Sequence, residues 1–254
     1  MAFRKRIPLM AALLIGTVSA VPFPAAAFDD AEKQEIGEIV RDYLLANPEI
    51  FEEVQQALAL KKEAESRNIA QAAITGNTDA IFNAAEDISL GNPNGDVTVV
   101  EFFDYNCGFC KRAMQDMVTI IEQDDNVRFV LKEFPILGPD SVAAHRVSMA
   151  FRKIAPEQYE AFHLKLLGGD VRATEAQAID VAAGLGVDEA TLRAGMDDPE
   201  IEQSIRQSYQ LADALGISGT PSFILGDEAV FGAVGAEPLL DKIANLRSCK
   251  STVC

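Results

Sequence analysis

An α/β domain behind a helical arm is the fold class this sequence predicts, and three observations carry it. The runs VTVVEFF (Val97–Phe103) and VRFVLKEF (Val127–Phe134) flank an amphipathic stretch from Cys107 to about Asp124, in strand–helix–strand order. Residues 140–215 read as helix-rich and lead to two short strands and a last helix. Ahead of the domain, residues 29 to about 75 carry a helical apolar stripe of their own.

The first residues read as a leader rather than part of the fold. Arg4, Lys5 and Arg6 precede the short apolar run IPLMAALLIGTVSAV, and PFPAAA supplies small residues before the acidic FDD. This is a secretory pattern, with cleavage expected after Ala27, so that residues 1–27 form a signal peptide. The alternative is an uncleaved anchor, which the apolar run disfavours by falling short of about 20 residues. The formal net charge of −17 argues against nucleic acid or anionic lipid as a partner recognised through bulk charge. Export makes disulfides stable, and four cysteines are too few to form the framework of a chain of 254 residues.

Residues 28–78 are expected to form a helical arm. Ile36, Ile39, Val40, Tyr43 and Leu44 fall on one helix face, and Asn47-Pro48 restarts the helix, with Asn47 able to cap and Pro48 suited to the first position. Ile50, Phe51, Val54, Ala57 and Leu58 continue the stripe before the polar KKEAESRN, and Gly76-Asn77 ends it. Such an arm either packs on the main domain or meets other copies as an oligomerisation stalk; its strong terminal stripe favours the stalk. The domain is expected over residues 79–248. GNPNGD (Gly91–Asp96) marks a turn, VTVVEFF is a buried central strand, and VRFVLKEF is its parallel neighbour across a right-handed helical crossover. A helical insert is placed at about residues 138–215. PSFIL and AVFGAV, joined by Gly226-Asp227, form a hairpin, and EPLLDKIANLRS a final helix.

The chemistry centres on FFDYNCGFCKR. Cys107 stands where the strand ends and the helix begins, and a helix N-terminus favours a thiolate. Cys110 is one turn later, close enough to close a disulfide, so Cys107 can attack a disulfide and Cys110 resolve the mixed intermediate. Lys111 and Arg112 add positive charge, and Phe109 gives an apolar face suited to misfolded clients. Glu101 lies within an apolar strand, where a lone carboxylate is costly unless paired or neutral. Beneath Cys110 it is a candidate proton acceptor for the resolving thiol; a solvent-facing strand-edge Glu is the alternative. Thr220-Pro221 enters a strand, where proline has no N–H to donate. A cis bond there makes a tight turn and leaves the Thr220 backbone free for a client strand, while a trans proline at the first strand position is also viable.

Together these pieces resemble the thioredoxin superfamily, and specifically the DsbA-like proteins of bacterial envelopes, over roughly residues 80–247. The fold implied is a thioredoxin fold with the DsbA-type helical insertion. The resemblance implies a periplasmic protein disulfide oxidoreductase in which Cys107 is the nucleophile, Cys110 the resolving cysteine and Pro221 the cis proline. DsbA oxidases usually have Pro-His between the cysteines and Val before the cis proline. Gly108-Phe109 and Thr220 instead approach the DsbC-type isomerases, with Gly-Tyr and Thr. IVRDYLLANPEIFEEVQQAL resembles the arm of ScsC-like proteins, some of which shuffle wrong disulfides and are linked to copper tolerance; it implies a homo-oligomer, a trimer in that group.

The function expected is disulfide isomerisation on unfolded or misfolded exported proteins, with a membrane or periplasmic redox partner recycling the site. A DsbA-type dithiol oxidase is the first alternative. The second is a copper-binding or chaperone module, since two thiolates suit Cu(I). No cofactor and no metal site is expected. Cys249 and Cys254, in the tail at residues 249–254, are expected to close a small local disulfide loop; a free tail or a bond to another chain is the alternative. His145 and His163 lack ligand spacing and read as ordinary helix residues.

Overall fold

The computed structural model describes residues 28–84 and 87–254, so the leader expected over residues 1–27 lies outside the described residues. The described residues divide into two compact units, with the boundary between Leu58 and Ala59.

In the first unit, helix α1 (Asp30–Ala46) starts from a reciprocal cap. The Asp29 carboxylate accepts from the Glu32 N–H at 2.9 Å, and the Glu32 carboxylate accepts from the Asp29 N–H at 2.8 Å. No residue of α1 is buried, and Ile36, Ile39, Val40 and Tyr43 all stand exposed. Asn47 does not cap the next helix, α2 (Glu49–Gly76), as the sequence suggested. Its side-chain amide instead donates back to the Tyr43 carbonyl at 2.8 Å, closing the end of α1. Phe51, Val54 and Leu58 in α2 are likewise exposed.

The second unit is a five-stranded mixed sheet in the order β1-β3-β2-β4-β5, formed by β1 (Ile88–Gly91), β2 (Val97–Phe103), β3 (Val127–Glu133), β4 (Ser222–Leu225) and β5 (Glu228–Phe231). The central pair β2 and β3 is parallel, with Val99 opposite Phe129 and Glu101 opposite Leu131. Helix α4 (Gly108–Gln123) makes the crossover between them. The hairpin β4–β5 continues the sheet antiparallel to β2. It turns at Gly226, whose φ of +52° suits glycine and where a Cβ would lie 2.4 Å from the Leu246 side chain. The edge strand β1, antiparallel to β3, is an element the sequence reading did not anticipate. Four residues running straight into the turn at Gly91 carry too little alternation to mark a strand, and the ladder partner is remote in sequence.

Side chains of β2 alternate between two apolar layers, as the pleat requires. Val99 and Phe103 join Phe129 and Leu131 in the larger one, under α4 and α10 (Ala236–Cys249). Val100 and Phe102 join Val130 and Ile224 in the smaller one, with Ile81 of α3 (Thr78–Phe82) and Leu211 of α9 (Pro199–Ala214). Burial on both faces explains why VTVVEFF reads as a nearly unbroken apolar run. The insert comprises α5 (Pro139–Ile154), α6 (Tyr159–Gly168), α7 (Glu175–Ala183), α8 (Glu189–Met196) and α9. It lies between β3 and β4 in the chain.

Candidate active site

The alternation of β2 places Glu101 on the same face as Val99 and Phe103, the face that α4 covers. Cys107 is the N-cap residue of α4, in extended conformation, and Cys110 follows in its first turn. Both thiols are free and buried. From the far side, β4 brings in the Thr220-Pro221 bond, which is cis. The end of β2, the start of α4 and the remote Thr220-Pro221 segment thus meet around one pair of sulfurs.

The two thiols are driven apart in acidity. Cys107 is lowered from 9.0 to about 5. The largest cause is the hydrogen bond from the Cys110 thiol, with burial opposing it and Thr220 and the backbone N–H groups of Cys110 and Phe109 assisting. The Thr220 carbonyl also lies 3.2 Å from Cys107 Sγ, where it accepts from the thiol form alone. The sequence reading assigned most of the shift to the helix end, helped by Lys111 and Arg112. In the structure the neighbouring thiol leads instead. The Lys111 ammonium donates to the Gly169 carbonyl, and the Arg112 guanidinium lies 4.3 Å above the Phe109 ring. Cys110 is pushed well up, first by its bond to Cys107, then by burial and by the Glu101 charge.

Glu101 is 2% exposed, and its Oε1 has no hydrogen-bond partner among the described residues. Burial first, then the charges of Cys107 and Asp116, push its pKa from 4.5 to about 8. A carboxyl in that state is mostly protonated at neutral pH and can both give and take a proton. The solvent-facing alternative for Glu101 is excluded by its burial.

A second polar cluster, which the sequence reading missed, holds the loop before Cys107. The Tyr105 N–H donates to His145 Nε2 at 3.2 Å, so the His145 proton sits on Nδ1 and donates to Glu133 at 2.7 Å. Ser148 and Tyr159 also donate to the Glu133 carboxylate, and the Tyr105 hydroxyl donates to Ser148 at 2.8 Å. Burial raises the Glu133 pKa, but the bond from His145 and the nearby Arg152 charge outweigh it and hold Glu133 below its usual value. Burial pushes His163, beside Tyr105, down to about 4. Asp104 accepts from the Asn106 and Leu137 N–H groups and from Ser141, while Asn106 exchanges two bonds with the Ala173 backbone. His145 and His163 are therefore buried network members rather than ordinary helix residues. Ser141, His145 and Ser148, spaced i, i+4 and i+7 on α5, were the signal: a polar stripe on a helix face that is otherwise core.

Phe109, 57% exposed, and Phe231 flank Pro221 in an open groove beside Cys107. At the other end of the chain Cys249 and Cys254 form a disulfide. Among the described residues, no group of three or more His, Cys, Asp and Glu is placed to hold a metal ion.

Residues 98–244, more than half of the chain, match the DSBA-like thioredoxin domain family. The chain belongs to that family. In front of the DsbA-like domain, residues 32–65 match the copper resistance protein ScsC N-terminal domain. A thioredoxin-like oxidoreductase from Silicibacter pomeroyi is 43% identical, with a TM-score of 0.65, over 67% of this chain and 98% of that one. A Proteus mirabilis ScsC variant with a linker deletion is 27% identical, with a TM-score of 0.66, over 89% of this chain and 99% of that one. The thiol:disulfide interchange protein DsbA of Bordetella parapertussis is 29% identical over 139 residues, 52% of this chain and 64% of that protein. The chain spans 22% to 68% of the length of the curated relatives it matches, so a relative's whole activity does not follow from the match. Among the described residues no helix is long and apolar enough to cross a membrane.

Proposed function

We propose that this DsbA-like protein carries out thiol–disulfide exchange on exported proteins in the periplasm, and that isomerisation of wrong disulfides is its main activity. The observation that carries the exchange reading is the opposed acidity of the pair, a Cys107 thiolate beside a Cys110 that keeps its proton. The Cys107 thiolate attacks one sulfur of a client disulfide, forming a mixed disulfide and releasing the client's other sulfur as a thiolate. In isomerisation that freed thiolate, or another in the client, attacks the client sulfur of the mixed disulfide. A rearranged client bond forms and Cys107 leaves as thiolate, so electrons balance with no net oxidation. In reduction Cys110 attacks Cys107 Sγ, its proton passes to ionised Glu101, and the client sulfur leaves.

Clients dock in the groove beside Pro221, with their apolar segments against Phe109 and Phe231. The leader pattern supports export, and the exposed stripe of α1 and α2 supports a homo-oligomer, a trimer by the resemblance of its arm to ScsC. A membrane or periplasmic redox partner keeps the pair reduced.

Oxidase activity is the second reading, and the Cys107 pKa favours giving it weight. A value of about 5 lies between the reference points of about 7 for thioredoxin and about 3.5 for DsbA. A stabilised thiolate makes the disulfide form a better oxidant. Refolding of scrambled ribonuclease tests the isomerase reading: the reduced protein restores activity, and Cys107→Ala abolishes it. Dithiol oxidation of reduced ribonuclease outrunning that isomerisation, with Cys107 and Cys110 mostly oxidised in the exporting cell, overturns it in favour of the oxidase.

A further inference from the structure

Away from the sulfurs, one charged side chain is buried with nothing to bind. Arg152, in the last turn of α5, is 8% exposed, and no hydrogen bond or ion pair reaches its guanidinium among the described residues. Its neighbour Lys132, also buried, shows the usual arrangement: its ammonium donates to the Asp87 carboxylate and the Ala80 carbonyl. Glu133, which accepts from His145, Ser148 and Tyr159, acts on Arg152 through space. A guanidinium offers five N–H donors, and those of Arg152 keep access to the cavity it lines.

Arg152 opens into a cavity of about 280 Å³ between β3, α5, α9, residues 77–84 and Asp87. Ser204, Gln207 and Ser208 line one side, and Leu131, Met149 and Leu211 provide apolar walls. We propose that this cavity is a binding site for a small monocarboxylic acid with a short apolar body. The guanidinium pairs with a carboxylate through two parallel bonds. A single charge suits the site because Lys132 is already paired with Asp87 and the Glu133 carboxylate faces Arg152 through space, which leaves no room for a second negative charge. A dianionic phosphate would bring a second charge towards the Glu133 and Asp87 carboxylates. At about 30 Å³ per water, the space corresponds to roughly nine waters, the size of a six- to seven-carbon acid. The net charge of −17 opposes anions at long range, but salt screens that repulsion within about 8 Å while the enclosed pair is screened much less. The site involves neither Cys107, Cys110 nor Glu101, so it stands or falls independently of the exchange activity.

Titration of the full-length protein with hexanoate, the uncharged hexanamide and inorganic phosphate, followed by calorimetry, tests it. Saturable hexanoate binding, at least about tenfold tighter than hexanamide or phosphate, is expected, with a comparable loss in Arg152→Gln and retention in Arg152→Lys. The proposal is overturned by no saturable hexanoate binding, by hexanamide or phosphate binding as tightly, or by Arg152→Gln binding hexanoate like the parent. Should Arg152→Gln not fold, the comparison of hexanoate with hexanamide on the parent protein decides alone.

Discussion

Replacing Glu101 by Gln removes a titrating group while keeping its shape, and the structure predicts two opposite effects. The first is on rate. With a pKa of about 8, roughly one tenth of Glu101 is ionised at pH 7, and that fraction can accept the Cys110 proton. In the mixed disulfide the Cys107 charge is gone but burial, the larger cause, remains, so the resolving step should speed up as pH rises above the usual carboxylate range and level off no higher than about pH 8. Glu101→Gln should lose this limb and slow the step by about a hundredfold or more, the usual range for a positioned base. The second effect is on stability. The folded protein keeps the Glu101 proton up to about pH 8, whereas the unfolded chain releases it near 4.5. Between those values the folded state binds more protons, so stability falls as pH rises. At about 1.4 kcal/mol per unit, the reduced protein loses on the order of 3 kcal/mol by pH 7 through this one group. Glu101→Gln should lack that slope. Single-turnover release of a mixed disulfide in a stopped flow, run from pH 5 to 9, reads the rate; urea unfolding over the same range reads the slope. Cys107, depressed from 9.0 to about 5, gives the reduced protein an opposite slope over much of this range, so the Glu101 contribution is read as the difference between parent and variant. A variant that keeps the parent's rate limb, or whose stability follows pH as the parent's does, refutes the assignment.

Four further outcomes follow from the same geometry. The thiolate absorbance of the reduced protein near 240 nm should vanish as pH falls through about 5 and be absent in Cys107→Ser. Because the Cys107 pKa is depressed on folding, the reduced form should gain stability relative to the disulfide form as pH rises from about 5 to 9, measured by comparing the two unfolding midpoints. His145→Ala should cost about 2–5 kcal/mol in denaturant unfolding, since it strands the buried Tyr105 N–H and one bond of Glu133, while His145→Gln should recover part of the loss. Finally, Ile39→Glu with Tyr43→Glu places charge on the exposed stripe of α1. Sedimentation should show a smaller species than the parent, and isomerisation should fall while simple dithiol reduction persists; an unchanged sedimentation coefficient removes the case for this stripe as the oligomer contact.

Local chemistry made much of this protein legible from the chain alone. The apolar run Val97–Phe103, buried on both faces, the crossover helix beginning at Cys107, the Gly226-Asp227 hairpin and the striped helices of the arm each follow from neighbours within a few residues. Even the cost of a carboxyl at Glu101 could be read from its strand. What the chain could not show was who meets whom across a distance. Strand β1 exists because β3 offers it an edge, not because ISLG demands extension. The acidity of Cys107 owes most to Cys110 and is assisted by the Thr220 side chain, delivered by the sheet from a remote part of the chain. His145 looked like any helix residue until Glu133 and the Tyr105 N–H stood on either side of it. Nothing adjacent to Arg152 in the chain marks it as buried; the fold encloses it. The period of the backbone is written in adjacent residues, so it can be read in order; a buried polar group gets its meaning from partners that only the closed fold brings within reach.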